Sequence, residues 1–183
     1  MKMFKKLMAI ALAGVMALAV LTGCGSSLNE KEIIKQMNDQ LTISSMTNSS
    51  YKGFKEFKAD KEMDAKAETI AKKVAEKAKT QAEIETVLKS DEVKGIVLGK
   101  DDTNVYNVSY VKSVSFGSKY YKTNKDSVDL GVIGRNRTSH YDSTALVGRE
   151  TKDAVVGVGF ADATVGDTVY TIVVMKVPTQ KKA

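Results

Sequence analysis

The sequence predicts an α+β fold in which a mainly antiparallel sheet is covered by helices. Three patterns predict it. Met63, Ala67, Ile70, Val74 and Ala78 form one apolar stripe on a 3.6-residue period. The runs 155–160 and 169–177 are apolar and joined by Val165-Gly166-Asp167, which reads as a pair of strands with a turn between them. The second run is apolar on both faces, so it belongs at the centre of the sheet with helices on either side.

The elements follow in chain order. Asn29 and Glu32 have the spacing of a capping box, and Ile33, Ile34, Met37 and Leu41 recur at helical intervals, which predicts a helix over 30–41. Residues 42–58 are rich in Ser, Thr and Asn and broken by Gly53. They read as a loop whose Tyr51, Phe54 and Phe57 pack on the core. The striped helix starts at Asp60, with Glu62–Lys66 and Glu68–Lys72 in the favourable i,i+4 order. Its stripe is largely alanine, so a neighbour must approach closely. Thr80 and Glu83 make a second capping box before a short helix through Ile84, Val87 and Leu88.

Gly95 to Asp102 reads as a break, and 105–114 as a strand with Tyr106, Val108 and Tyr110 on one face. Between 115 and 150 the pattern is weak. Asp126 is placed to cap a short helix through Leu130 and Ile133, and 143–147 suggests another. In the strand 155–160, Val156, Val158 and Phe160 share one face. Gly157 and Gly159 lie on the other, where they let another element come close. Ile70, Val74, Val158, Ile172 and Val174 are therefore expected in the core. Pro178 stops the last strand, and 179–183 reads as a loose tail.

The N-terminus has a separate logic. Lys2, Lys5 and Lys6 precede an uncharged apolar run from Leu7 to Leu21. As a helix that run is about 22 Å long, short for a hydrocarbon core of about 30 Å. A positive start, a short apolar middle and small residues at the end describe a secretory signal. Leu21-Thr22-Gly23-Cys24 resembles the lipobox of bacterial lipoproteins. The resemblance implies cleavage between Gly23 and Cys24, a thioether to diacylglyceryl on Cys24, and an extracytoplasmic position at the cell membrane. Several acyl chains anchor stably, each buried CH₂ contributing about 0.8 kcal/mol. With the chain's single cysteine used for lipid, no internal disulfide can form.

On this reading residues 1–23 are the signal, 24–28 a short lipidated tether, 29–178 one globular domain and 179–183 the tail. Removing 23 of 183 residues leaves 160, enough for one domain with a core. The formal net charge of +6 falls to +3 when the three signal lysines go. That is a weak argument for nucleic acid as a partner. The lysines suit either solvated helix faces or attraction to anionic headgroups and wall polymers. Arg135 and Arg137, with Lys119, Lys122, Lys125, Tyr120 and Tyr121, make a basic stretch that fits acidic polymer or carbohydrate, or simply a solvated loop.

Three segments of the domain resemble the CAP superfamily, the cysteine-rich secretory, antigen 5 and pathogenesis-related 1 domain. Phe57 to Ala67 is similar to the start of the family's second helix. Thr138-Ser139-His140 followed by Leu146 looks like its Ser-x-x-His region, and 156–160 with 170–175 like its closing hairpin. The resemblance implies a three-layer α-β-α sandwich over about 30–177. It also implies a cavity, which in the family holds two histidines and two acidic residues able to bind a divalent metal. His140 matches the second histidine, and no residue matches the first. His140 is thus a remnant cavity residue or a hydrogen-bonded histidine in a loop. A lone histidine makes a poor zinc site.

Enzyme signatures are otherwise missing: there is no Gly-x-Ser-x-Gly, P-loop or His-Glu-x-x-His. Two function classes follow. One is a non-catalytic, lipid-anchored binding domain without cofactor or metal, whose partner is a wall polymer, a carbohydrate or a protein. The other is a cell-envelope hydrolase using His140 with an acidic partner. A solute-binding transport protein needs two lobes, and this chain has room for one.

Overall fold

The computed structural model describes residues 30–100, 102–112 and 130–183. It is a mixed α+β domain. Helix α1 (Glu30–Thr47) buries Ile33, Ile34, Met37 and Leu41, and a 3-10 turn (Ser49–Tyr51) leads into strand β1 (Phe54–Ala59). Helix α2 (Lys61–Lys77) starts where the Asp60 carboxylate accepts from the amides of Glu62 and Met63. It buries the expected Met63, Ala67, Ile70 and Val74, followed by Ala78. Helices α3 (Gln81–Leu88) and α4 (Asp91–Val97) are capped by Thr80 and Ser90, the first through a complete capping box with Glu83. Then come β2 (Val105–Lys112), α5 (Leu130–Arg135), β3 (Thr138–His140), β4 (Arg149–Glu150), β5 (Ala154–Val165), β6 (Thr168–Val177) and β7 (Gln180–Lys181).

The main sheet has the order β1-β5-β6-β2-β3, and β4 pairs with β7 in a small second sheet. The β5–β6 hairpin turns at Gly166, whose φ of 59° is the left-handed conformation glycine favours. β6 is central, as its apolar faces require. Val173, Met175 and Val177 join the core under α1 and α5, whereas Tyr170, Ile172 and Val174 join the core under α2, α3 and α4. The glycines of β5 set the distance to α2. A Cβ on Gly159 would stand 2.1 Å from the Asp64 backbone nitrogen, and one on Gly157 would meet the Asp60 carboxylate at 2.5 Å.

The sheet departs from a purely antiparallel plan at one edge. β1 runs parallel to β5, with Phe57 opposite Val156 and Ala59 opposite Val158. The sequence reads this stretch as loop because alternation fails there. The register shifts between Phe54 and Glu56, a bulge that turns both Phe54 and Phe57 to one face, 5.9 Å apart and edge to face. The helix before it also outruns its expected end at 41. Ser45 Oγ and Thr47 Oγ1 donate to the carbonyls of Thr42 and Ile43, so these hydroxyls bond within α1 instead of breaking it.

Three further expectations are corrected. Gly95 lies inside α4, on an open face with nothing within 4 Å of its missing Cβ, so the break starts only after Val97. Residues 143–147 form turns rather than a helix, because Asp142 Oδ1 accepts from the amides of Thr144 and Ala145 and curls the chain. The C-terminal residues are tied rather than loose: β7 pairs with β4, and Arg149 donates through Nε to Thr179 Oγ1 and through Nη2 to Thr179 O. The strand expected to 114 is described to Lys112, and Asp126 lies outside the described residues.

Candidate functional site

His140 ends β3 directly opposite Tyr106 of β2 and is 6% exposed. Its Nε2 lies 2.8 Å from Leu88 O. A carbonyl only accepts, so Nε2 carries the proton and donates. Leu88 is the last residue of α3, and its carbonyl is one of the acceptors a helix end leaves without a backbone partner. The imidazole therefore caps a helix. Burial pushes its pKa down, and the nearby Lys94 charge does so too, against the effect of the Leu88 hydrogen bond. His140 is held neutral.

Its neighbours along the chain turn elsewhere. Ser139 Oγ donates to Asn107 Oδ1 at 2.8 Å, Tyr141 is 47% exposed, and Asp142 accepts from its own turn. No group of three or more His, Cys, Asp or Glu side chains able to hold a metal ion occurs among the described residues.

Beside His140, Tyr106 belongs to a polar network on the same sheet face. Its hydroxyl donates to Asp102 Oδ2 at 2.9 Å. Burial alone would raise the Asp102 carboxyl. Hydrogen bonds from the Asn104 and Gly99 amides and the Tyr106 hydroxyl hold it below its usual value instead. Burial, and then Asp102, push the Tyr106 phenol well above its usual range. Lys66 Nζ stands 4.5 Å over the Tyr106 ring, donates to Val97 O and pairs with Glu62 at 2.9 Å. Lys176 reaches the same Glu62 at 3.2 Å. Every polar group named here has a partner, so the network fastens α2, α4 and β2 together.

A cavity of 390 Å³ opens elsewhere, between α1 and β1, lined by Asn38, Leu41, Thr42, Ser45, Phe54, Lys55 and Glu56. Sequence reasoning missed it because it assigns 42–58 to a loop. The signal that was available is the aromatic pair Phe54 and Phe57 next to Gly53. His140 does not line this cavity.

Gly23, Cys24 and the basic residues Lys119, Lys122 and Lys125 lie outside the described residues. Of the two arginines in the basic stretch, Arg135 is the last residue of α5, and Arg137 Nη1 donates to Ser50 O at 3.4 Å. No protein-family model, curated protein or solved structure matches the chain.

Proposed function

We propose that the chain is an exported bacterial lipoprotein, cut before Cys24 and held at the outer face of the membrane by acyl chains on that residue. Its domain is a non-catalytic binding module. The observation that carries the anchoring is Leu21-Thr22-Gly23-Cys24 after a charged start and a short apolar run, with the chain's one cysteine at the modified position. No helix among the described residues is long and apolar enough to cross a membrane.

The non-catalytic reading is supported by His140. Its one mobile proton is committed to Leu88 O, and the side chain is nearly inaccessible. A general base must reach a substrate proton within about 3 Å. The finer fold assignment, a CAP-like three-layer arrangement, is supported by helices on both faces of the C-terminal hairpin and by the close seating of α2 on Gly157 and Gly159. This part is an argument from fold and carries no ligand with it. A wall polymer, a carbohydrate or a protein is the class of partner proposed.

The test is metabolic labelling with radioactive palmitate in a bacterial host. Label on the wild-type chain and none on Cys24→Ser is the expected result. A serine variant that still takes up label overturns the anchoring.

A further inference from the structure

We infer that the groove between α1 and β1 binds a short stretch of glycan, a β-linked polymer of N-acetylated amino sugars. This deepens the reading of the domain as a non-catalytic binding module and rests on it. The groove holds 390 Å³. That is at the small end of the roughly 300–1,000 Å³ typical of ligand sites, and it suits a short saccharide segment rather than a folded partner.

The sequence keeps this groove open. Asn38, Leu41, Thr42 and Ser45 stand at i, i+3, i+4 and i+7, so they share one face of α1. Earlier on the helix, Ile33, Ile34 and Met37 are buried. Asn38 then clasps β1 through both main-chain groups of Phe57. Beyond the clasp, Thr42 and Ser45 are too short to fill the space up to Phe54. They are also polar where closure of helix on strand would call for apolar side chains. Ser45 Oγ gives its proton to Thr42 O, so toward a ligand it is an acceptor. Thr42 is exposed, and its hydroxyl has no partner among the described residues.

These groups select the occupant. All the lining residues but Leu41 and Phe54 are polar, and an acyl chain would strip water from them without giving hydrogen bonds back. A peptide strand added to a sheet edge needs main-chain partners, and Asn38 already holds those of Phe57. A sugar suits both parts of the lining. Its C–H face matches Phe54 and Leu41, because slightly positive C–H bonds are attracted to the negative face of an aromatic ring. Its hydroxyls both donate and accept, as Thr42, Ser45, Lys55 and Glu56 together require. An acetamido group adds a methyl for the apolar part and an N–H for the Ser45 or Glu56 oxygens.

Access and chemistry agree with binding alone. Met46, one helical turn beyond Thr42, is 81% exposed, so that side of the mouth is open. A glycan in the groove meets no imidazole, since His140 is not in the lining.

The test is calorimetric titration of the whole protein, purified from a bacterial host in detergent micelles, with the β-1,4-linked tetramer of N-acetylglucosamine. Thr42→Val removes the free hydroxyl at nearly constant shape, and Thr42→Trp fills the groove from an exposed helix position. Submillimolar binding by the wild type, weakened up to about tenfold in Thr42→Val and lost in Thr42→Trp, is the expected result. Thermal melts show whether each variant is folded. If Thr42→Trp does not melt cooperatively, Thr42→Val decides, and an unchanged affinity there overturns the groove. No binding by the wild type, or equal binding by a folded Thr42→Trp, also overturns the groove and leaves the binding-module reading standing. Binding of a wall stem peptide instead, lost in Thr42→Trp, overturns the glycan as occupant. Chromatography of the tetramer after titration separates the two readings from the other side: a cleaved tetramer overturns the non-catalytic reading while the groove stands.

Discussion

Asn38 does for Phe57 what a neighbouring strand would do. Its Oδ1 accepts from the Phe57 amide at 2.7 Å, and its Nδ2 donates to the Phe57 carbonyl at 3.0 Å. One carboxamide thus satisfies both main-chain groups of Phe57 on the side of β1 away from β5. Unpaired edges invite pairing with other chains, and a side chain spent in this way closes one.

Asn38→Ala leaves two part-buried backbone groups without partners. The expected loss is about 1–3 kcal/mol of stability, because an unmade hydrogen bond costs more than a made one contributes. The variant should also self-associate as concentration rises. Urea denaturation and sedimentation velocity check the two effects. Wild-type stability together with a monomer at high concentration would count against the edge-closing role.

Two glycine-to-alanine changes should act in opposite directions. Gly159→Ala puts a methyl group 2.1 Å from the backbone of Met63 and Asp64, so α2 must lift from β5. Overpacking of this kind typically costs about 1–3 kcal/mol, and a backbone obstacle puts it at the upper end or beyond. Gly95→Ala adds a methyl group in open space within α4 and should gain up to about 1 kcal/mol through helix propensity. Thermal denaturation of the two variants side by side reads the contrast.

Stability should respond to acid with two signs. His140 has a lowered pKa in the fold, against an ordinary value of 6.5. Below about pH 6.5 the unfolded chain takes up a proton that the native chain refuses, so this group removes stability as pH falls toward its native pKa. Asp64 has a raised pKa through burial, against an ordinary 3.8. As pH falls from its native value to 3.8 the native chain binds the proton first, and stability rises. His140→Gln should flatten the first limb and Asp64→Asn the second, followed as urea midpoints against pH. Unchanged pH profiles in both variants would refute the assignment.

Zinc should not bind through His140. Its Nε2 is taken by Leu88 O, and no carboxylate is bonded to the ring. Calorimetric titration of the soluble domain with zinc is expected to give no micromolar site. A micromolar site lost in His140→Ala would reverse the non-catalytic reading.

What the sequence revealed and concealed has physical causes. The α2 stripe and the β6 run were legible because each buries one continuous surface with its proper period. Thr80–Glu83 was legible because a capping box is local chemistry. β1 was not, because its bulge at Lys55 breaks the alternation by which a strand is recognised, and its partner β5 is remote in sequence. The helix-capping role of His140 could not be foreseen, since Leu88 lies 52 residues away along the chain. The groove beside β1 was concealed with β1 itself.

The parallel pairing of β1 with β5 also fixes an order of events. Phe54 lies opposite Ala154, about a hundred residues later in the chain. β2 waits in the same way for β6, with Val105 opposite Val177. During synthesis from the N-terminus, β1 lacks β5 and β2 lacks β6 until the last thirty or so residues emerge. Such long-range closure makes folding slow and delays it until the chain is nearly complete. Until then, helices α1 to α5 can form from local contacts, whereas the edges that β1 offers to β5 and β2 offers to β6 stand open to other chains.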